Sequence, residues 1–136
     1  MDGEELHRLA RARTAELPGA ELTHPFGEQS EVYKVRGRMF LLLTEHAGER
    51  IVNAKARPAD ARVLREAYGW ITPGYHMNKQ HWISLRPAAG DPAAAQEQDP
   101  QLVEDLITES YLLVLEKNVP KSQWPVNPAT FGQSAE

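Results

Sequence analysis

No cysteine occurs among the 136 residues, so no disulfide staples the fold and no thiolate can act as nucleophile or metal ligand. No stretch approaches the roughly 20 consecutive apolar residues of a membrane span. The opening "MDGEELHRLARART" carries carboxylates where a secretory leader needs positive charge and then an apolar run. These absences lead to the expectation of a soluble cytoplasmic protein with no membrane partner. The nine glycines are scattered and form neither GxGxxG nor GxxxxGK followed by Ser or Thr, which excludes phosphate binding by those loops. No GxSxG elbow is present, and Ser30, Ser84 and Ser110 have no local partner pattern of nucleophile and base. His76 and His81 stand five apart, on opposite faces of a strand and out of register on a helix, which makes a poor zinc chelate. The chain is therefore expected not to be an enzyme and to carry neither a cofactor nor a metal.

The chain does have 41% hydrophobic and 25% charged residues, the composition of one globular domain that buries about two-thirds of its unfolded surface. The many alanines and arginines beside few lysines point to a GC-rich bacterial genome. The formal net charge of −4 conceals a strong segregation. Residues 1–33 hold three Arg against seven Asp/Glu, residues 34–86 ten Lys/Arg against four, and residues 87–136 two Lys against eight. A basic middle of net +6 thus lies between acidic flanks of −4 and −6. Acidic helices beside a basic sheet would produce this pattern with no ligand at all.

Asp2 and Glu5 have capping-box spacing, and Leu6, Leu9, Arg13 and Leu17 follow at helical intervals up to the Pro18-Gly19 stop. In "THPFGEQS", Pro25 and Gly27 flank Phe26, a turn with an expected buried aromatic knob. From residue 31 the period becomes two, and strands are expected at about 31–36, 39–45 and 50–55, an antiparallel meander with tight turns at Arg36-Gly37-Arg38 and His46–Glu49. A short helix starts at Pro58, with Val63, Leu64 and Ala67 on one side, and ends near Gly69. After the Pro73-Gly74 turn, "HWISLRP" reads as a fourth strand, and 88–98 as a connector. Asp99 caps and Pro100 starts the longest helix, whose stripe of Leu102, Val103, Leu106, Ile107, Leu113 and Val114 should cover the sheet. The order helix, strands, helix, strand, helix is a two-layer α+β pattern, an antiparallel meander covered by helices. Residues 1–121 form the expected single domain and 122–136 a C-terminal tail.

Strand parity directs the functional reading. If Tyr33, Val35, Val52, Ala54, Ile83 and Leu85 face the helices, the other face presents Lys34, Arg36, Asn53, Lys55, Trp82, Ser84 and Arg86. Cations beside an exposed aromatic suit phosphate contact and base stacking. The competing expectation is that Trp82 is buried and the cations only keep the sheet soluble. "GYHMNKQHW" at 74–82 supplies a point charge in Lys79 and donors in Tyr75, His76 and Asn78 for a phosphate or carboxylate. It could equally be a turn in which Tyr75 and Met77 pack inward and Asn78 makes a turn bond.

The blocks "LPGAELTHPFG", "VYKVRGRMFLLL", "KARP", "PGYHMNKQHWISL" and "LITESYLLVLEKNVPK", in that order from about Leu17 to Lys121, resemble the MmcQ/YjbR family. The resemblance implies a CyaY/frataxin-like α+β fold, with a twisted antiparallel sheet packed against helices, and a DNA-binding role through a double-wing arrangement of sheet and loops. Carried onto this chain, the nucleic-acid-binding candidates are Lys34, Arg36, Arg38, Lys55, Arg57, His76, Asn78, Lys79 and Trp82. A frataxin-like fold also suggests iron at an acidic first helix, but Arg8, Arg11 and Arg13 interrupt that helix here. DNA is the expected partner of a monomeric protein. The alternatives are a small-anion pocket around Tyr75, His76, Asn78, Lys79 and Trp82, or a protein-interaction module.

Overall fold

The structure is a computed structural model that describes residues 1–132. Helix α1 (Gly3–Ala15) begins on a reciprocal cap: the Asp2 carboxylate accepts from the Glu5 amide while the Glu5 carboxylate accepts from the Asp2 amide. Strands β1 (Ala20–Thr23), β2 (Glu31–Val35), β3 (Arg38–His46) and β4 (Glu49–Lys55) follow as a meander. Helix α2 (Pro58–Ala67), the short strand β5 (Ile71–Pro73), strand β6 (Trp82–Leu85), helix α3 (Pro92–Glu97) and helix α4 (Pro100–Asn118) complete the body. All pairings are antiparallel, and the six strands lie in the order β1-β2-β3-β4-β6-β5.

Period-two burial decides which sheet face the helices cover. Tyr33, Val35, Leu41, Leu43, Val52, Ala54, Ile83 and Leu85 join Leu6 and Ala10 of α1 and Val103, Ile107, Tyr111 and Val114 of α4 in one core. Each Leu, Ile or Val side chain among them contributes about 1.5–3 kcal/mol when fully buried. The two-layer α+β architecture and the inward parity expected from the sequence are both present. A β-bulge between β2 and β3 makes Phe40 an extra residue. The buried Ser110 of α4 repairs the ladder there, its hydroxyl donating to the Phe40 carbonyl (2.5 Å) and accepting from the Lys55 amide (2.8 Å).

Several expectations change. The edge strands β1 and β5 have no counterpart among the expected strands, and the helix α3 lies within the expected connector. They run only four, three and six residues, too short for a period to show. On α2, Ala61 rather than Val63 points inward, and Val63 is 62% exposed. The Pro25–Gly27 turn brings nothing over Phe26, which is 73% exposed rather than a buried knob. The tail lies across the body: Trp124 Nε1 donates to the carbonyls of Leu115 and Val119, and Phe131 packs on Tyr111 with ring centres 6.1 Å apart. The tail's last four residues, 133–136, lie outside the described residues. Among the described residues, no helix is long and apolar enough to cross a membrane.

Candidate functional site

The nine candidates do not form one basic face. They divide between one end of the sheet and the loop joining β5 to β6, and Trp82 belongs to neither surface.

The sheet end is built by register. Arg38 pairs with Val35 at the β2–β3 tip, Leu41 pairs with Ala54, and Lys55 pairs with Trp82, so the tip and the C-terminal end of β4 project from the same end. Lys34, Arg36, Arg38, Lys55 and Arg57 therefore cluster there. Arg36 Nε donates to the Gln123 carbonyl (2.8 Å), which holds the tip against the tail and near Lys121. Arg57 pairs with Glu116 at 2.8 Å, and Lys117 lies 3.7 Å from the same carboxylate. Lys34 stands across the β1–β2 ladder from Glu21. Among the described residues neither the Lys34 ammonium nor the Arg38 guanidinium has a hydrogen-bond or ion-pair partner.

Lys55 corrects the parity argument. It is the last residue of β4, and its ammonium reaches Asn118 Oδ1 (2.9 Å) at the C-terminus of α4 instead of lying on the open face. Parity directs Cβ only, and a four-carbon stem at a strand end can carry its charge to the negative end of a helix. Partial burial holds its pKa below the ordinary lysine value.

Trp82 is the second correction. It is 9% exposed, so it offers no surface for base stacking. The Trp82 backbone stands beside Gly74, where an added Cβ would lie 2.7 Å from Trp82 Cβ and 3.0 Å from its carbonyl carbon. Only glycine allows that approach. The returning loop 74–81 is tied to the same residue's backbone, the Gly74 amide donating to the Trp82 carbonyl (3.0 Å) and the Trp82 amide to the Asn78 carbonyl (2.9 Å).

That loop is anchored on two buried polar side chains. Asn53 and Ser84, 0% and 2% exposed, are neighbours on the β4–β6 ladder. Ser84 Oγ donates to Asn53 Oδ1 (2.5 Å) and accepts from the Tyr75 amide (2.9 Å), while Asn53 Nδ2 donates to the Tyr75 carbonyl (2.9 Å). They are internal fasteners, not part of an exposed basic surface. Asn78 makes the expected turn bond: its side-chain oxygen accepts from the Gln80 amide, and its carbonyl accepts from the amides of His81 and Trp82. His76 occupies left-handed backbone with φ 57°. Lys79 Nζ donates to the Gly74 carbonyl at 3.3 Å, and Arg65 donates to the Lys79 carbonyl.

The Tyr75 ring packs against His46 of β3 with centres 3.8 Å apart and meets the His76 ring nearly edge-on at 4.1 Å. Beside them a cleft of about 360 Å³ is lined by His46, Ile51, Thr72, Pro73, Tyr75, Lys79, Ser84 and Arg86. His46, Thr72 and Arg86 were not among the site candidates. The available signal was parity, because His46 shares a face with Leu42 and Thr44, and Asn53 and Ser84 are polar residues inside otherwise apolar strands.

The opposite end of the sheet has the reverse charge. Glu45 and Glu49 flank the β3–β4 turn and line a hollow with Asp2, Glu4, Glu5 and Asp91. Arg50 lies 3.8 Å from Glu45, and Arg86 pairs with Glu49.

Comparison with known proteins agrees with the fold. The YjbR family model matches residues 15–113. The chain is 38% identical over 128 residues to the uncharacterized protein YbdF of Escherichia coli, covering 94% of this chain and 99% of that protein. It is 29% identical over 68 residues to the uncharacterized protein YjbR of the same species, covering 50% of this chain and 58% of that one. The crystal structure of a Deinococcus radiodurans protein with the family-model domain DUF419 superposes with a TM-score of 0.71 at 30% identity, over 83% of this chain and 80% of that one. A Pseudomonas syringae crystal structure, at 23% identity and a TM-score of 0.57, covers 83% of this chain and 98% of that one and shares the fold.

Proposed function

From the premise that the chain belongs to the YjbR family, we propose that it is a cytoplasmic binding protein, not an enzyme, that holds DNA through the phosphate backbone at the basic end of its sheet. The observation that carries this reading is the convergence of Lys34, Arg36, Arg38, Lys55 and Arg57 at the β2–β3 tip and the end of β4, with Lys34 and Arg38 unpaired among the described residues. Phosphate contact needs cations on a raised, accessible edge, and a hairpin tip beside a second loop is such an edge, the wing-like element of the reading. With Trp82 buried, no stacking platform accompanies the cations. Binding is therefore read as indifferent to base sequence and steeply salt-dependent.

The test is a salt-titrated association assay with double-stranded and single-stranded oligonucleotides. Lys34→Ala and Arg38→Ala should each weaken binding to all sequences alike and each lower the salt slope by about one. No association at low ionic strength, or an unchanged slope in the double variant, would remove the proposal.

A further inference from the structure

We propose that the cleft between the 74–81 loop and the open face of the sheet is a binding site for a small organic oxyanion, a phosphate monoester or carboxylate on a planar body. This does not rest on the nucleic-acid reading, because Lys34, Arg36, Arg38, Lys55 and Arg57 all lie outside its lining.

Three independent features support the site. The first is construction: two buried polar side chains, Asn53 and Ser84, spend their hydrogen bonds on the Tyr75 backbone, and Gly74 permits an approach that a Cβ would block. A loop needing only to connect two strands requires no such fastening. His76 is also held at φ 57°, the kind of local strain that collects where a surface is shaped for binding.

The second is charge. The lining includes Lys79, Arg86 and His46 and no carboxylate. Lys79 Nζ is met by one neutral carbonyl at 3.3 Å, which leaves two N–H donors. Arg86 spends Nε and Nη2 on Glu49, leaving Nη1. The hydroxyl of Thr72 adds a neutral donor, whereas that of Ser84 is committed to Asn53. Donors from a lysine, an arginine and a hydroxyl suit a tetrahedral or planar oxyanion.

The third is shape. At about 360 Å³ the cleft lies near the small end of pockets that take organic ligands, roughly 300–1,000 Å³. Its walls are Ile51, Pro73 and the paired Tyr75 and His46 rings. The oxyanion belongs at Lys79 and Arg86, and the planar body against that wall.

The experiment is a two-dimensional amide NMR titration of the full chain with phenyl phosphate, benzoate and, as the opposite charge, benzylamine. Both anions should give saturable shifts confined to Thr72, Tyr75, Lys79, Ser84 and Arg86, and benzylamine should give none there. Lys79→Gln should weaken both anions at least tenfold and Lys79→Arg should retain them, with the dispersion of each spectrum reporting that the variant is folded. Lys34→Ala with Arg38→Ala should leave anion affinity unchanged, so failure of the nucleic-acid reading and failure of this one are separable. Absence of saturable shifts up to roughly 10 mM ligand, where a 1 mM Kd would leave the site about nine-tenths filled, would overturn the proposal. So would shifts centred on the β2–β3 tip, or equal binding of benzylamine.

Discussion

The two hairpin tips of the meander share a backbone and differ in nearly everything around it. Arg36 and Gly37 turn β2 into β3 with φ of 50° and 79°, and Ala47 and Gly48 turn β3 into β4 with φ of 52° and 82°. Positive φ at both central positions is the turn whose twist matches paired strands. One tip projects among Lys34, Arg38, Lys55 and Arg57, and the other among Glu45, Glu49 and the acidic start of α1. Folding needs the backbone at both places and does not need either charge. Segregated charge on equivalent scaffolds is therefore more informative about association than the net −4 that averages it away.

The largest effect should come from reversing that charge. Lys34→Glu with Arg38→Glu should lower affinity for a DNA duplex on the order of 100-fold at low salt, because two cations near phosphate become repulsive. Glu45→Lys at the other tip should change affinity by less than about threefold, since it creates charge remote from the basic end. Fluorescence anisotropy at several salt concentrations measures both. Equal effects at the two tips would mean that a diffuse field, not a localized end, governs association.

A smaller and equal effect is expected where the tips are alike. Gly37→Ala and Gly48→Ala each place a Cβ in left-handed backbone, and neither Cβ would meet a neighbour within 4 Å. Each should cost about 1–2 kcal/mol in urea unfolding, with no difference between them beyond about 0.5 kcal/mol. A clear inequality would show that one turn is supported by more than its own backbone. Ala47→Gly should recover stability, whereas Arg36→Gly also forfeits the bond to the Gln123 carbonyl and should recover less.

Features carried by local chemistry could be read directly from the sequence. The Asp2–Glu5 cap, the Asp99-Pro100 start of α4 and the alternation along β2, β3 and β4 each rest on neighbouring residues, and the corresponding elements are present. Features that depend on a distant segment were not. Trp82 and Phe26 are both aromatics beside turn residues, yet one is 9% exposed and the other 73%. The difference is what folds back over each, and neither pentapeptide contains that information. Lys55 was assigned to the correct strand face, but its charge lies at the end of α4. Asn53 and Ser84 were placed on the same face as one another, and their use became visible only with the loop that they hold. Family resemblance supplied the scaffold for the candidate site, while tertiary return of the loop divided it in two.

The smallest of these effects concerns acid, and it should be confined to the acidic end. His7 of α1 is buried, and its Nε2–H donates to the Ile51 carbonyl (2.8 Å) near the start of β4. Burial depresses its pKa below 6.5, so the unfolded chain takes up more protons than the folded one once the pH falls below that value. Its contribution is therefore fully present above about pH 6.5 and lost as the pH falls through the depressed folded value. Glu31, at the same end, accepts hydrogen bonds from Arg11, which hold its carboxyl below 4.5. Its stabilisation is present above that value and disappears only as the pH falls further. Stability measured by urea unfolding across pH should consequently decline in two stages. His7→Gln, whose amide can still donate to Ile51, should flatten the upper stage and leave the lower one. Glu31→Gln should do the reverse, while the Lys34→Glu, Arg38→Glu variant should keep both. If the His7→Gln profile still follows the wild type as the pH falls below 6.5, the upper stage does not originate at His7.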